Sequence, residues 1–246
     1  MFTYDSLLRD APKDVTVGIG RGSDRGDVER SAAAFGNVTI YDDPDELVND
    51  LKNGKIDAAV RGDMASSRLL ARIKRCFGLP DIQRTVLLEP VGRRMIFVAP
   101  VGIDEGWTVS QKYELATKSV DLMRRIGMGE RIAVMSGGRE DDKGRNDVVD
   151  RTIDDAAELV NLLRKNGYDA YDSEILIESA VDEADLLIAP DGISGNLIFR
   201  TLHFLGNAKA LGAPVLNTEK VFVDTSRVKT DYRDSIALAK MLTVRK

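Results

Sequence analysis

The chain has 246 residues, of which 43% are hydrophobic and 30% charged, with one cysteine and one histidine. That composition excludes a disordered or collagen-like chain, an internal disulfide, a cysteine-based metal cluster and a metal site built from several histidines. The net charge of −5 argues against a general nucleic-acid binder, which needs a basic surface, and no apolar stretch approaches the roughly 20 residues of a membrane helix.

Short apolar runs then alternate with helical patterns. Val15–Ile19 reads as a buried strand, followed by a Gly-rich loop and a helix through Val28, Ala32 and Phe35. Asn37–Tyr41 is the next strand. Asp43-Pro44 starts a helix, with Pro at the first helical position, and Asn53-Gly54 ends it. A strand at Ile56–Val60 and a helix over Met64–Arg75 complete a repeated strand–helix rhythm, the mark of a parallel sheet. Thr85–Glu89 and Arg94–Ala99, around Pro90 and Gly92, predict a hairpin or sheet edge. The rhythm resumes with a helix over Ser110–Ile126, a strand at Arg131–Met135 and apolar residues at Val149, Ile153, Ala156, Val160 and Leu163 in helical spacing. Strands are expected at Ala184–Ala189, Pro214–Leu216 and Val221–Val223, and helices at Asn196–Leu205 and Asp231–Leu242. The pattern predicts an α/β chain of two subdomains, with residues 1–109 plus 225–246 in the first and 110–224 in the second.

Two constellations carry candidate chemistry. After the first strand, Gly18-Ile19-Gly20-Arg21-Gly22 offers backbone that can approach a phosphate, with Gly20 and Gly22 as candidate ligands. It also resembles the first motif of adenosylmethionine-dependent methyltransferases, with Asp42 at the ribose position, but Thr16 stands where those enzymes carry an acid. The plainer reading is a tight strand-to-helix turn. In the C-terminal half, Ser136-Gly137-Gly138, with Lys143 close by, follows a strand. Asp191-Gly192-Ile193-Ser194-Gly195-Asn196 follows another, and Asp224-Thr225-Ser226-Arg227 a third. Amides at strand ends and helix starts, an arginine fork and a serine hydroxyl are the groups an anion with a developing oxyanion needs. Each also has a bland alternative as a turn, a helix cap or a solvated charged loop. Cys76 and His203 read as packing residues.

The order and spacing of these segments, with Gly206-Asn207-Ala208-Lys209-Ala210-Leu211-Gly212 between the last two, resemble the phosphate acetyltransferase/butyryltransferase family over roughly residues 107–242. The resemblance implies two α/β/α subdomains related to the isocitrate/isopropylmalate dehydrogenase fold, a ligand in the cleft between them and a homodimer; the composition points to a cytoplasmic protein. It implies that Ser136, Gly137, Gly138, Asp191, Ser194, Gly195 and Asn196 bind a phosphate-bearing ligand or CoA, with Lys143 a candidate from its closeness in sequence. It implies Ser226 and Arg227 as catalytic residues, followed by an acidic base. Counted without a gap, Arg233 occupies that base position. A one-residue shift supplies Asp234. The short chain and its Gly loop resemble an offshoot from methanogenic archaea, the methanogenesis marker protein 4 or MtxX family, which carries a methyltransferase-subunit label. That implies other methyltransferase subunits as partners beside a small anionic substrate, and the composition adds no nucleic acid, membrane or metal. Phosphate acyl transfer, adenosylmethionine-dependent methyl transfer and a non-catalytic subunit role are the alternatives.

Overall fold

The computed structural model describes residues 3–23, 26–226 and 228–243. The chain divides into two compact units, Met1–Ile82 with Leu211–Lys246, and Gln83–Ala210.

In unit 1 the elements are α1 (Tyr4–Asp10), β1 (Val17–Gly20), α2 (Asp27–Ala32), β2 (Val38–Tyr41), α3 (Pro44–Lys52), β3 (Ala58–Val60) and α4 (Ser66–Phe77). The strand order is β2-β1-β3. Asp43 caps α3 by accepting a hydrogen bond from the Asp45 amide at 3.0 Å, with Pro44 in the first turn as expected. In register, Gly18 and Ala59 lie side by side, as do Ile19 and Val60. Alternation along the strands sends one set toward α3 and α4, where Leu47, Leu51, Ile56, Ala59, Leu69 and Ile73 form a buried cluster.

In unit 2 the elements are β4 (Val86–Glu89), β5 (Ile96–Ala99), α5 (Val109–Ile126), β6 (Ile132–Met135), α6 (Asp147–Lys165), β7 (Ala170–Glu174), α7 (Ile177–Glu183), β8 (Leu186–Ile188) and α8 (Gly192–Arg200). A π-helical turn over Thr201–Leu205 continues α8. The strand order is β4-β5-β8-β6-β7. β4 and β5 form the expected antiparallel hairpin, and β5, β8, β6 and β7 run parallel. Thr108 caps α5 at the Gln111 amide, and Gly127, at φ 71°, closes it in the left-handed conformation that glycine adopts without strain. The chain then returns through β9 (Lys209–Pro214) to β10 (Val221–Asp224) and α9 (Arg233–Thr243). β10 adds to unit 1 parallel to β3, and β9 pairs antiparallel with β10.

The strand–helix pattern anticipated most of these elements. The differences have local causes. The boundary falls at residues 82/83 and 210/211 rather than 109/110 and 224/225. The β4–β5 hairpin enters unit 2 because β5 pairs with β8, and β10 belongs to unit 1 because it pairs with β3. Pattern reading passed over α1, β7 and α7. β7 (Ala-Tyr-Asp-Ser-Glu) carries polar residues at a sheet edge, and the two helices have seven residues each. α8 starts at Gly192 rather than Asn196, because Asp191 is its cap. β9 replaces the strand expected at Pro214–Leu216.

Candidate functional site

In an open α/β sheet, ligands bind beyond the carboxyl ends of the strands where the chain order reverses. Unit 1 reverses at β1: the chain runs from β1 to β2 on one side and then crosses to β3 on the other. The loops that follow β1, β3 and β10 therefore lie together. They are Arg21–Ser23, Arg61–Met64 and Thr225-Ser226.

Charge and close backbone approach hold these loops. Buried Arg61 donates from Nε to Asp224 and from Nη1 to the Met64 carbonyl at 2.6 Å. The Thr225 hydroxyl donates to the Gly62 carbonyl at 2.7 Å, and its amide to Asp224 at 2.9 Å. Gly62, at φ 62°, brings its Cα so near β1 that an added Cβ would lie 1.9 Å from the Gly20 carbonyl oxygen. Asp63 accepts from the Gly22 amide at 2.7 Å and from the Ser23 hydroxyl. Ser226 is half-buried, and its hydroxyl accepts from the Val228 amide at 3.4 Å. Arg227 lies outside the described residues.

The glycine motif is explained by packing. A Cβ on Gly18 would meet Ile56, Leu47 and Tyr41, one on Gly20 would meet Met64 and the Arg61 carbonyl, and one on Gly22 the Asp63–Met64 backbone. Asp42 receives the Arg21 guanidinium through two hydrogen bonds of 2.7 and 2.8 Å, while Arg21 also reaches Glu29 at 2.7 Å. Those hydrogen bonds hold the Asp42 carboxyl below its ordinary range.

In α9 the two neighbouring candidates part. Arg233 is half-exposed and pairs with Asp231. Asp234 is buried, accepts from Lys229 at 2.8 Å, and receives the Ser235 amide at 2.6 Å and hydroxyl at 3.2 Å. Burial pushes its pKa above the usual carboxylate range, against the pull of Lys229.

Unit 2 reverses at β6, between β7 and β8. Val134 pairs with Ile188, so Ser136-Gly137-Gly138 after β6 and Pro190–Asn196 after β8 leave adjacent strand ends. Buried Ser136 donates its hydroxyl to the Gly138 carbonyl at 2.7 Å, and the Gly137 amide donates to Thr152 at 2.8 Å. Asp191 caps α8 at the Ser194 amide at 2.8 Å, and the Gly195 amide reaches the Asp191 carbonyl at 3.0 Å. Asn196 donates to the Val101 carbonyl at 2.8 Å. An added Cβ would lie 1.7 Å from the Gly102 oxygen at Gly192, and 1.9 Å from the Pro100 oxygen at Gly195. Lys143 bridges Glu140 at 3.0 Å and Asp154 at 3.1 Å, which raises its pKa.

Each unit thus gathers its own candidates at its chain reversal, and many of their polar groups already have protein partners. Sequence reasoning missed Arg61, Asp63, Lys229 and Thr152. The run Arg61-Gly62-Asp63 directly after an apolar strand was the readable signal. Thr152 lies on a helix face, and sequence spacing does not reveal its hydrogen bond to Gly137. Among the described residues, no group of three or more His, Cys, Asp or Glu is placed to hold a metal, and no helix is long and apolar enough to cross a membrane.

No protein-family model matches the chain. It is 44% identical over 207 residues to the "Putative methyltransferase mtx subunit X" of Methanosarcina mazei, covering 84% of this chain and 74% of that protein. An "Uncharacterized methyltransferase" of Methanopyrus kandleri is 36% identical over 234 residues, covering 89% and 90%. A phosphate acetyltransferase of Corynebacterium glutamicum is 26% identical over 233 residues, covering 82% and 69%. In structure the chain is similar to the EutD phosphotransacetylase of Staphylococcus aureus, with a TM-score of 0.73 at 12% identity over 98% of both chains. The fold is that of the phosphotransacetylases, and by sequence the chain belongs to the family of the methyltransferase mtx subunit X proteins of methanogenic archaea.

Proposed function

We propose that the chain is a cytoplasmic transferase-fold subunit of a methyl-transfer system, and that it binds a phosphate-bearing small molecule at the carboxyl ends of its strands. The observation that carries this reading is the placement of Ser226. It directly follows Asp224-Thr225, which Arg61 and Gly62 anchor at the ends of β3 and β10. A hydroxyl on such a fixed mount, with Arg227 next in sequence, suits recognition of a phosphoryl or acyl-phosphate group. Within unit 2, Ser136–Gly138 and Asp191–Asn196 are its own candidate anion contacts. The relatives' name, a subunit, supports assembly with other methyltransferase subunits, and the family resemblance supports self-association into a dimer.

Thermal shift tests the reading, with inorganic phosphate, acetyl phosphate, CoA and adenosylmethionine as probes. A ligand at 100 times its Kd stabilises by about 2.7 kcal/mol. At least one phosphate-bearing probe should raise the Tm of the wild type. Arg227→Ala should weaken that ligand roughly 10- to 150-fold, the value of a charge-assisted hydrogen bond. An unchanged response in Arg227→Ala removes the site, and no response to any phosphate-bearing probe removes the ligand class.

A second reading, phosphate acyl transfer, draws on Asp234. Of the candidates for the base, it is the acid turned inward at the start of α9 with a raised pKa. In that reaction the carboxylate takes the proton of the CoA thiol, the sulfur bonds to the acyl carbon and phosphate leaves. Against it, Lys229 and Ser235 already engage both oxygens of Asp234. We therefore expect turnover of acetyl phosphate and CoA near background. Robust turnover that is lost in Asp234→Asn and kept in Arg233→Ala favours the acyltransferase instead. Adenosylmethionine binding has less support, because Arg21 occupies Asp42 and packing fills the space beside the glycines.

A further inference from the structure

Among the described residues of unit 2, Lys112 is the single buried cation. It stands in the first turn of α5, where the free amides of a helix start disfavour a positive charge. Its Nζ lies 2.9 Å from the Asp155 carboxylate on α6 and 3.3 Å from the carbonyl of Pro190, the residue before the Asp191 cap of α8. Asp155 shares a face of α6 with Thr152, one turn earlier, whose hydroxyl holds the Gly137 amide. One ammonium thus joins the α6 face beside the β6 loop to the end of the β8 segment. Stability does not account for it. A buried ion pair is often no more stabilising than apolar residues of the same volume, and this cation also sits at an unfavourable helix end.

We infer that Lys112 is a positioning residue that makes this end of unit 2 accept a doubly charged terminal phosphoryl group in preference to a singly charged phosphodiester. The inference rests on the phosphate-binding reading above and names the charge state that the site selects. The candidate contacts Ser136–Gly138 and Asp191–Asn196 share their strand ends with two carboxylates, Asp155 and Asp191. An anion is repelled there unless a fixed positive charge offsets them. Lys112 supplies that charge, and its pair with Asp155 is asymmetric. The Asp155 side chain is 28% exposed, so water screens it, whereas the Lys112 side chain is 4% exposed and keeps its field. Coulomb attraction grows with the charge of the ligand, so a fixed ammonium favours a dianion over a monoanion. Lys112 acts through this field and through the Pro190 carbonyl, without touching the ligand.

Titration calorimetry on the full chain tests this, with inorganic phosphate above neutral pH as the dianion and dimethyl phosphate as the monoanion. The wild type should bind phosphate about tenfold more tightly than dimethyl phosphate, and Lys112→Met should weaken phosphate about tenfold and shrink that preference. Asp155→Asn removes a carboxylate yet keeps an acceptor for Lys112, and should tighten phosphate about threefold. A purely structural clamp predicts the opposite sign for Asp155→Asn, weaker binding or none gained. Lys118→Met, further along α5, changes the net charge equally and should leave the phosphate Kd unchanged. Thermal melts check folding. If Lys112→Met does not fold, Lys112→Met with Asp155→Asn removes both charges and should still lose the preference for the dianion. Phosphate binding that Arg227→Ala weakens and Lys112→Met does not overturns the role of Lys112 and leaves the phosphate site standing. Weaker binding in Asp155→Asn overturns the role as well. A wild type that binds neither anion, or both equally, overturns the inference, while acetyl phosphate and CoA still decide the wider reading.

Discussion

The two units solve one topological problem with different chemistry. Each has a mostly parallel sheet whose chain order reverses once, and each places its candidate segments at that reversal. Unit 1 ties its loops together with buried charge. Arg61 bonds Asp224, Asp63 holds Gly22 and Ser23, and Lys229 pairs with Asp234. Unit 2 seats the first turn of α8, after β8, by backbone approach, with Gly192 and Gly195 against the carbonyls of Gly102 and Pro100, and holds its β6 loop with the hydroxyls of Ser136 and Thr152. The division is not complete. Gly62 makes a close approach in unit 1, and buried Lys112 reaches both Asp155 and the Pro190 carbonyl in unit 2. Still, one loop set should respond to loss of a charge and the other to added volume.

The largest expected effect comes from Arg61. Removing one partner of a buried ion pair costs about 3–5 kcal/mol, because the other charge is left buried and unpaired. Arg61→Ala should therefore destabilise unit 1 strongly, while the double variant Arg61→Met with Asp224→Leu should recover most of the loss. Trp107, the single tryptophan, lies in unit 2 and reports that unit alone. In urea, Arg61→Ala should bring forward part of the far-UV circular dichroism transition and leave the Trp107 fluorescence transition in place. If both signals move together, the units unfold as one and the separation of their supports fails.

Gly195→Ala is the converse test. The new Cβ would lie 1.9 Å from the Pro100 oxygen, so backbone must move, at a cost of about 1–3 kcal/mol. Here the Trp107 transition should shift first. Lowering the ionic strength or changing the pH should not rescue it, since the defect is steric. A wild-type midpoint by fluorescence would mean that α8 tilts freely away from the Pro100–Glu105 segment.

These supports differ in how legible they were in the sequence. Strand and helix positions followed from apolar periodicity, and the Asp43-Pro44 and Asn53-Gly54 signals marked α3 correctly. The ordered segments Ser136–Gly138, Asp191–Asn196 and Asp224–Ser226 do fall at strand ends. The partners that occupy those loops were hidden because they come from distant positions. Arg61 and Asp224 are 163 residues apart, and Asn196 and Val101 are 95 apart. The glycines were ambiguous for a related reason. A glycine required by a neighbouring side chain, as Gly18 is by Ile56 and Leu47, has the same sequence signature as one required by a phosphate. The Arg233 position was ambiguous by one residue, and the start of α9 resolves which side chain turns inward.

The smallest expected effect concerns protons, and it tests how charge works in unit 1. Asp234 and Asp231 stand three residues apart with opposite displacements. Burial raises Asp234, whereas hydrogen bonding to Arg233 lowers Asp231. An acid with a raised folded pKa binds more protons folded than unfolded. Its contribution to stability is therefore lost as pH rises from the unfolded value of 3.8 through the folded one. Asp231 behaves oppositely: its contribution is present above 3.8 and is lost as pH falls through its depressed value. The stability of the wild type minus that of Asp234→Asn should fall with rising pH above 3.8, whereas the difference from Asp231→Asn should rise with pH below it. Neither slope can exceed about 1.4 kcal/mol per pH unit, the limit for one proton. Glu105 in unit 2, also raised by burial and held by Arg84 at 2.7 Å, should follow Asp234 in sign when replaced by Gln. A difference curve for Asp234→Asn that rises with pH would mean that Lys229 outweighs burial. The buried carboxylate would then be a stabilising charge like those of unit 1's other loops, and a poor acceptor for a thiol proton.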